Sequence, residues 1–145
     1  MQTSVTNGGT FEYLLTGPAS IHYRALSNEL ETPTVLICPE DKQRKAAATF
    51  SNFSNLNLSY FVGLDVDQTN TMLFLGGDRN ITNGLRPVGG ILELSTNYPA
   101  SWSDGFHWTQ GNVLLGDGSV QQFASSRLQE AIRNTAQNSH RIALP

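Results

Sequence analysis

The chain has 145 residues, of which 39% are hydrophobic and only 14% charged, and its formal net charge is −3. That length suits one domain able to bury about two-thirds of its unfolded surface. The acidic balance excludes the basic footprint that nucleic acid requires, no apolar run reaches the roughly 18 residues of a membrane-spanning helix, and the single cysteine, Cys38, excludes an internal disulfide or a zinc site built from thiolates.

The opening "MQTSVTNGG" has no signal-peptide pattern and reads as a linker, residues 1–9, at the edge of a single domain over 10–145. Thr10 to Leu15 is a short strand or a lead-in to a helix, punctuated by Gly17-Pro18. From Pro18 to about Leu30, Ile21, Ala25, Leu26 and Leu30 recur at helical spacing, with proline in the first turn, and Pro33 ends the helix. "TVLIC" follows as a buried strand. Cys38 closes it as a small buried hydrophobe, since no histidine is near in sequence to activate a thiolate. Residues 39–56 are polar and irregular, with Phe50 and Phe53 as anchors; Lys42, Arg44 and Lys45 beside Glu40 and Asp41 form a solvated loop.

Residues 57–66 form a strand with Leu58, Tyr60 and Val62 on one face, and 71–81 another, ended by Gly76-Gly77. Residues 89–95 alternate as a third. Asp117-Gly118 between the alternating runs 112–116 and 119–123 predicts a hairpin with a type I′ turn, which needs positive φ at both central residues. Ser126 with Gln129 makes a capping-box pattern that opens a helix running to about Asn138. The tail "SHRIALP" is expected to fray or to dock late. The order gives an α+β fold: an N-terminal helix packed on a mainly antiparallel sheet, with a C-terminal helix.

Candidate chemistry is sparse. His107 with Asp117 could form an acid/base pair, with Ser119 or Asp104 as a third member for nucleophilic catalysis; the turn accounts for Asp117 without chemistry, and His107 is expected to brace the sheet edge. Asp65, Asp67 and Asn70 alternate as oxygen ligands for calcium can, but the EF-hand offsets fail and a polar loop is preferred. "GGDRN", 76–80, could bind an anion, though a glycine turn is simpler and no nucleotide-binding glycine spacing is present. His22 is read as a surface residue and His140 as solitary. Trp102, Phe106 and Trp108 are read as core or lid anchors.

His107, nine residues and then Asp117-Gly118, set in "QGNVLLGDGSVQQF", join "VLICPEDKQRKAA", "LSYFVGLDVD" and "LGGDRNIT" in order along the chain. Together they resemble the H-X9-DG domain of bacterial prepilin-like proteins, abundant in Planctomycetes and Verrucomicrobia. The likeness runs from about Thr10 to Asn138. It implies a pilin-like or pseudopilin-like subunit of the type II secretion or type IV pilus kind, with a pilin-like α+β head. Members carry a leader cut by a prepilin peptidase, then an apolar helix that anchors in the inner membrane and later packs in a filament core. The sequence here corresponds to the head. The resemblance further implies a non-enzymatic role without a cofactor. It places the chain at the periplasmic or extracellular face of the cell envelope, with other pilin-like subunits and the assembly machinery as partners. His107, Asp117 and Gly118 are then motif residues that serve shape. Many members carry a histidine after the Asp-Gly where Ser119 and Val120 stand here, which removes a metal role built on a second histidine. The rival expectation is an envelope hydrolase or ligand-binding module using His107 with Asp104 and Asp117.

Overall fold

The computed structural model describes residues 3–65 and 69–145. Six strands form one antiparallel sheet: β1 (Tyr60–Gly63), β2 (Phe74–Asp78), β4 (Ile91–Ser95), β6 (Gln110–Leu115), β7 (Val120–Ala124) and β8 (Ser139–Ala143), in the order β4-β8-β1-β2-β6-β7. β3 (Ile81–Thr82) and β5 (Ser101–Trp102) pair as a separate two-stranded ribbon. The helices are α1 (Ala19–Arg24), α2 (Ser27–Leu30) and α3 (Ser125–Asn134). The fold is therefore α+β with an antiparallel sheet, as the element order predicts. Among the described residues no helix is long and apolar enough to cross a membrane.

Alternation along the strands sends side chains to two cores. One face carries Phe61, Phe74, Val113 and Ile142, and α3 covers it with Leu128, Ala131 and Ile132. The other carries Val62 and Ala143 and is covered by the N-terminal segment and the irregular stretch before β1, through Ala19, Leu36, Phe53 and Leu58. α3 has a clean apolar stripe, which is why its sequence pattern was plain. Its predicted capping box does not form: the N-cap is Ala124 and has no side-chain bond. Gln129 instead spends its amide on β4 and the loop beyond, accepting from the Ala100 amide and donating to the Ser95 and Thr96 carbonyls.

Several expectations are corrected. The tail does not fray; residues 139–143 form β8, an interior strand between β4 and β1. Ile142 and Ala143 face opposite cores, so the apolar pair is contiguous rather than alternating, as in a strand buried on both faces. Gly76-Gly77 does not end a strand but lies within β2. A Cβ on Gly77 would sit 2.6 Å from the Asn112 carbonyl oxygen and 2.7 Å from the Phe61 ring, so glycine is what lets that ring lie flat on the sheet. "TVLIC" is a 3-10 turn over Pro33–Leu36, not a strand. The helix over 18–30 is two short helices broken at Ala25-Leu26. Its buried positions are Ala19, Ser20 and His22, while Ala25 and Leu26, part of the predicted apolar stripe, are exposed. His22 is thus buried rather than on the surface, and its Nδ1 lies 2.8 Å from the Thr10 hydroxyl.

Candidate functional site

The tight segment after Leu36 is laid against the start of β1: the Ser59 amide donates to the Leu36 carbonyl at 3.0 Å, and the Asp41 amide donates to the Cys38 carbonyl, closing a turn that Pro39 suits. The end of β2 is tied to the same place, since the Arg79 amide donates to the Ser59 carbonyl at 2.9 Å. Asn80 then grips the loop that carries His107. Its Nδ2 donates to the carbonyls of Ser103 at 3.1 Å and Phe106 at 2.8 Å. His107 and Trp108 follow with φ of 58° and 55°. Two successive non-glycine residues in the left-handed region are rare and need surrounding structure to hold them; the outcome is that the imidazole turns inward while Trp108, 87% exposed, points out.

His107 Nε2 lies 3.0 Å from Cys38 Sγ and 3.9 Å from Asp78 Oδ2. One ligand atom from each of the three residues lies within 4.8 Å of the others. Cys38 and Asp78 are buried and His107 half-buried. Asp78 Oδ2 accepts from the Asn112 backbone amide at 2.6 Å and its side-chain amide at 3.1 Å. Burial lifts the Asp78 carboxyl above the ordinary range, and those amides with the nearby imidazole only partly offset it. Tyr60 borders the group; burial, with Cys38, Asp78 and Asp41 nearby, pushes its phenol up to about 12, so it stays protonated.

A second layer holds the first. The Asp41 side chain is fully buried and receives Arg79 Nε at 2.6 Å, Arg79 Nη2 at 2.8 Å and the Ser59 hydroxyl at 2.9 Å. Burial pulls the Asp41 carboxyl upward, but the bonds from Arg79 and Ser59 and the guanidinium charge outweigh it and hold it below its usual value. The same guanidinium stands 5.4 Å above the Phe106 ring, and Phe106 meets the His107 ring edge-to-face at 5.1 Å. A line of contact thus runs from Asp41 through Arg79 and Phe106 to His107.

Of the residues the sequence singled out, His107 is at the site and Asp117 is not. Asp117 lies in the turn at the far end of β6, about 17 Å of strand away. Its Oδ1 accepts from the Ser119 amide at 2.8 Å. The turn itself differs from the expected type I′. Gly118 has φ of 84° but Asp117 does not have positive φ; the Gly118 amide donates to the Leu115 carbonyl and the Leu115 amide to the Ser119 carbonyl. That is a type I turn closed by a glycine bulge, the three-residue hairpin loop. Asp104 is exposed in the loop before His107. Asp65 is engaged by Arg141, which donates to its carboxylate from the backbone at 2.7 Å and from the guanidinium. Asn70 is engaged by the Thr135 carbonyl and the Met72 amide. Both therefore spend their oxygens or amides on the protein's own chain; Asp67 lies outside the described residues. Trp102 and Phe106 are buried as core anchors. His140 is buried against Phe74 rather than open to a ligand.

Reasoning along the chain missed Cys38, Asp78, Asp41, Arg79 and Asn112. Cys38 is buried, as expected, but it is not without a histidine: His107, 69 residues away in sequence, reaches its sulfur. A signal was present: "CPED", "LSY", "GDRN" and His107 are the very stretches that carry the resemblance, and they meet at this one place. The lone "GDRN" was weighed as a glycine turn, but its Asp, Arg and Asn each have a distinct partner here. Chemically, the cluster offers a thiol, a carboxyl and an imidazole converging on a small volume. Compared with known proteins, the chain matches no family model, no curated protein and no solved structure.

Proposed function

We propose that the chain is the globular head of a pilin-like subunit and works by assembling with other subunits of the cell envelope rather than by turnover. The observation that carries this is where the apolar surface lies. Val5, Phe11, Leu15 and Leu26 of the N-terminal layer are exposed, as are Leu114 and Val120 on the sheet beside it. Two adjoining grooves, about 340 and 220 Å³, share Tyr23, Gly76 and Leu114; Leu26 lines the first and Val120 the second. Exposed apolar surface of this kind, on a protein with so few charges, suits a contact with another chain. An apolar helix of the kind that family members carry ahead of the head is the natural occupant, supplied by the same or a neighbouring subunit. Residues from all four resembling stretches meet around His107, although Asp117-Gly118 lies at the far end of β6, and that convergence supports the same assignment.

The test is Leu114→Asp with Val120→Asp in the full-length gene product. Both side chains reach the surface but face each other across the β6–β7 ladder, so the facing like charges should cost the purified domain about 1–2 kcal/mol, and circular dichroism of the variant verifies that it stays folded. Cross-linked multimers in the envelope fraction should disappear. Multimers that persist with both charges in place would contradict the assignment, as would a gene in which no stretch of about 20 apolar residues is encoded ahead of the head.

A further inference from the structure

We propose that Cys38, Asp78 and His107 form a binding site for one divalent metal ion of the zinc class, a site independent of the assembly role. The three side chains come from three separate segments: the turn after Leu36, the end of β2, and the loop before β6. Their ligand atoms face a common point. Zinc binds sulfur at about 2.3 Å and nitrogen or oxygen at about 2.0–2.2 Å, which puts tetrahedral ligands roughly 3.3–3.6 Å apart. The separations of 3.0 and 3.9 Å bracket that spacing and the third, sulfur to carboxylate, lies within 4.8 Å, so shifts of no more than about 1 Å would seat the ion.

The arrangement fits a metal better than a nucleophile. In a thiol–imidazole catalytic pair the orienting carboxylate binds the ring nitrogen that does not face sulfur. Here Asp78 and Cys38 both approach Nε2. One ring nitrogen offers a single proton or a single lone pair and cannot serve both acids; a cation accepts all three donors at once. Cys38 is also only 5% exposed, which bars a substrate carbonyl from its sulfur. Charge points the same way. As metal ligands, a thiolate and a carboxylate with a neutral imidazole sum to two negative charges, which a divalent cation neutralises, whereas the nearby Arg79 guanidinium is already held by Asp41 and Gln43. Buried anions call for a counter-charge. The supporting shell is in place, with Asn112 fixing Asp78 through two hydrogen bonds. The His107 side chain, 23% exposed, leaves an open side for water as fourth ligand.

The experiment uses the whole chain, reduced and stripped with a chelator, then titrated with Co²⁺ or Zn²⁺ alone. A one-to-one complex is expected, with a thiolate-to-cobalt charge-transfer band that zinc abolishes. Zinc at 100 times its Kd should raise the folded-to-unfolded ratio about 100-fold. Cys38→Ser should lose the band, and Asp78→Asn and His107→Gln should each weaken binding at least about 10-fold. X-ray absorption on the zinc-loaded wild type needs no variant and should show one sulfur at about 2.3 Å. A first shell of nitrogen and oxygen only would overturn the proposal. So would a folded wild type without the charge-transfer band, or a zinc-induced rise in stability undiminished in the Cys38→Ser/His107→Gln double variant.

Discussion

Replacing Arg79 by Met keeps the apolar stem and removes the guanidinium, leaving the Asp41 carboxylate buried with only the Ser59 hydroxyl and the Gln43 amide. The wild-type side chain is fully buried and takes two short bonds from Arg79. Breaking such a pair from one side costs about 3–5 kcal/mol, a large part of the 5–15 kcal/mol that typically holds a domain together. The exposed Arg127–Glu130 pair is the internal control; its removal should cost no more than about 1 kcal/mol. The Asp41 contribution to the pH dependence should change sign. In the wild type the Asp41 carboxyl is held below its usual pKa, so its stabilising contribution is complete above that usual value and is lost as pH falls through the lower, folded one. In the Arg79→Met variant burial dominates and lifts the Asp41 pKa, so the folded state binds the proton first and the variant's deficit relative to the wild type shrinks as pH falls from 7.5 toward 5. Urea unfolding of both proteins at the two pH values reads this out, and Asp41→Asn in the Arg79→Met background should recover much of the loss. A loss below about 1 kcal/mol, or a pH dependence parallel to that of the wild type, would refute the assignment of Asp41 and Arg79 as a buried pair that holds the site.

Ile142→Ala should cost about 2–5 kcal/mol by chemical denaturation, because Ile142 is fully buried in an interior strand; a change under 0.5 kcal/mol would mean that residues 139–143 are not part of the sheet. His140 is buried without a hydrogen-bond partner for either ring nitrogen among the described residues, and burial pulls its pKa down to about 4. The unfolded chain therefore takes up the proton first on acidification, and stability should fall from about pH 6.5 toward 4.5, by up to roughly 3 kcal/mol when the full shift is traversed. Its imidazole resonances should stay those of the neutral ring at pH 5.5, and a ring that titrates near 6.5 would contradict this.

What the sequence disclosed, and what it hid, follows contact range. The hairpin and α3 were legible because Asp117-Gly118 and the stripe Leu128–Ile132 are local signals that act within one turn or one helix. Even there, a choice between two turn types depended on whether one extra residue entered the loop. β8 was hidden because Ile142 and Ala143 are buried on opposite faces, which erases alternation and leaves a short apolar pair beside Pro145. β2 was cut short at Gly76-Gly77 because glycine is a turn residue locally, while here it serves the Phe61 ring on a neighbouring strand. His22, in the first turn of the expected helix, carries no local signal of burial; the helix turns it inward and leaves Ala25 and Leu26 outward, and Leu26 is part of the proposed subunit contact. The site was hidden most: Cys38 and His107 are 69 residues apart, and Asp41 and Arg79 are 38 apart. Spacing rules do not reach that far, and only the order of the four resembling stretches hinted that they belong together.

The account turns on His107 acting with Cys38 and Asp78 rather than with Asp117. Double-mutant cycles on folding stability separate the two directly, using His107→Gln with Cys38→Ala and His107→Gln with Asp117→Asn. The first pair touches and should couple by about 0.5–3 kcal/mol; the second is separated by the length of β6 and should be additive within about 0.5 kcal/mol. Coupling between His107 and Asp117, together with additivity between His107 and Cys38, would contradict it.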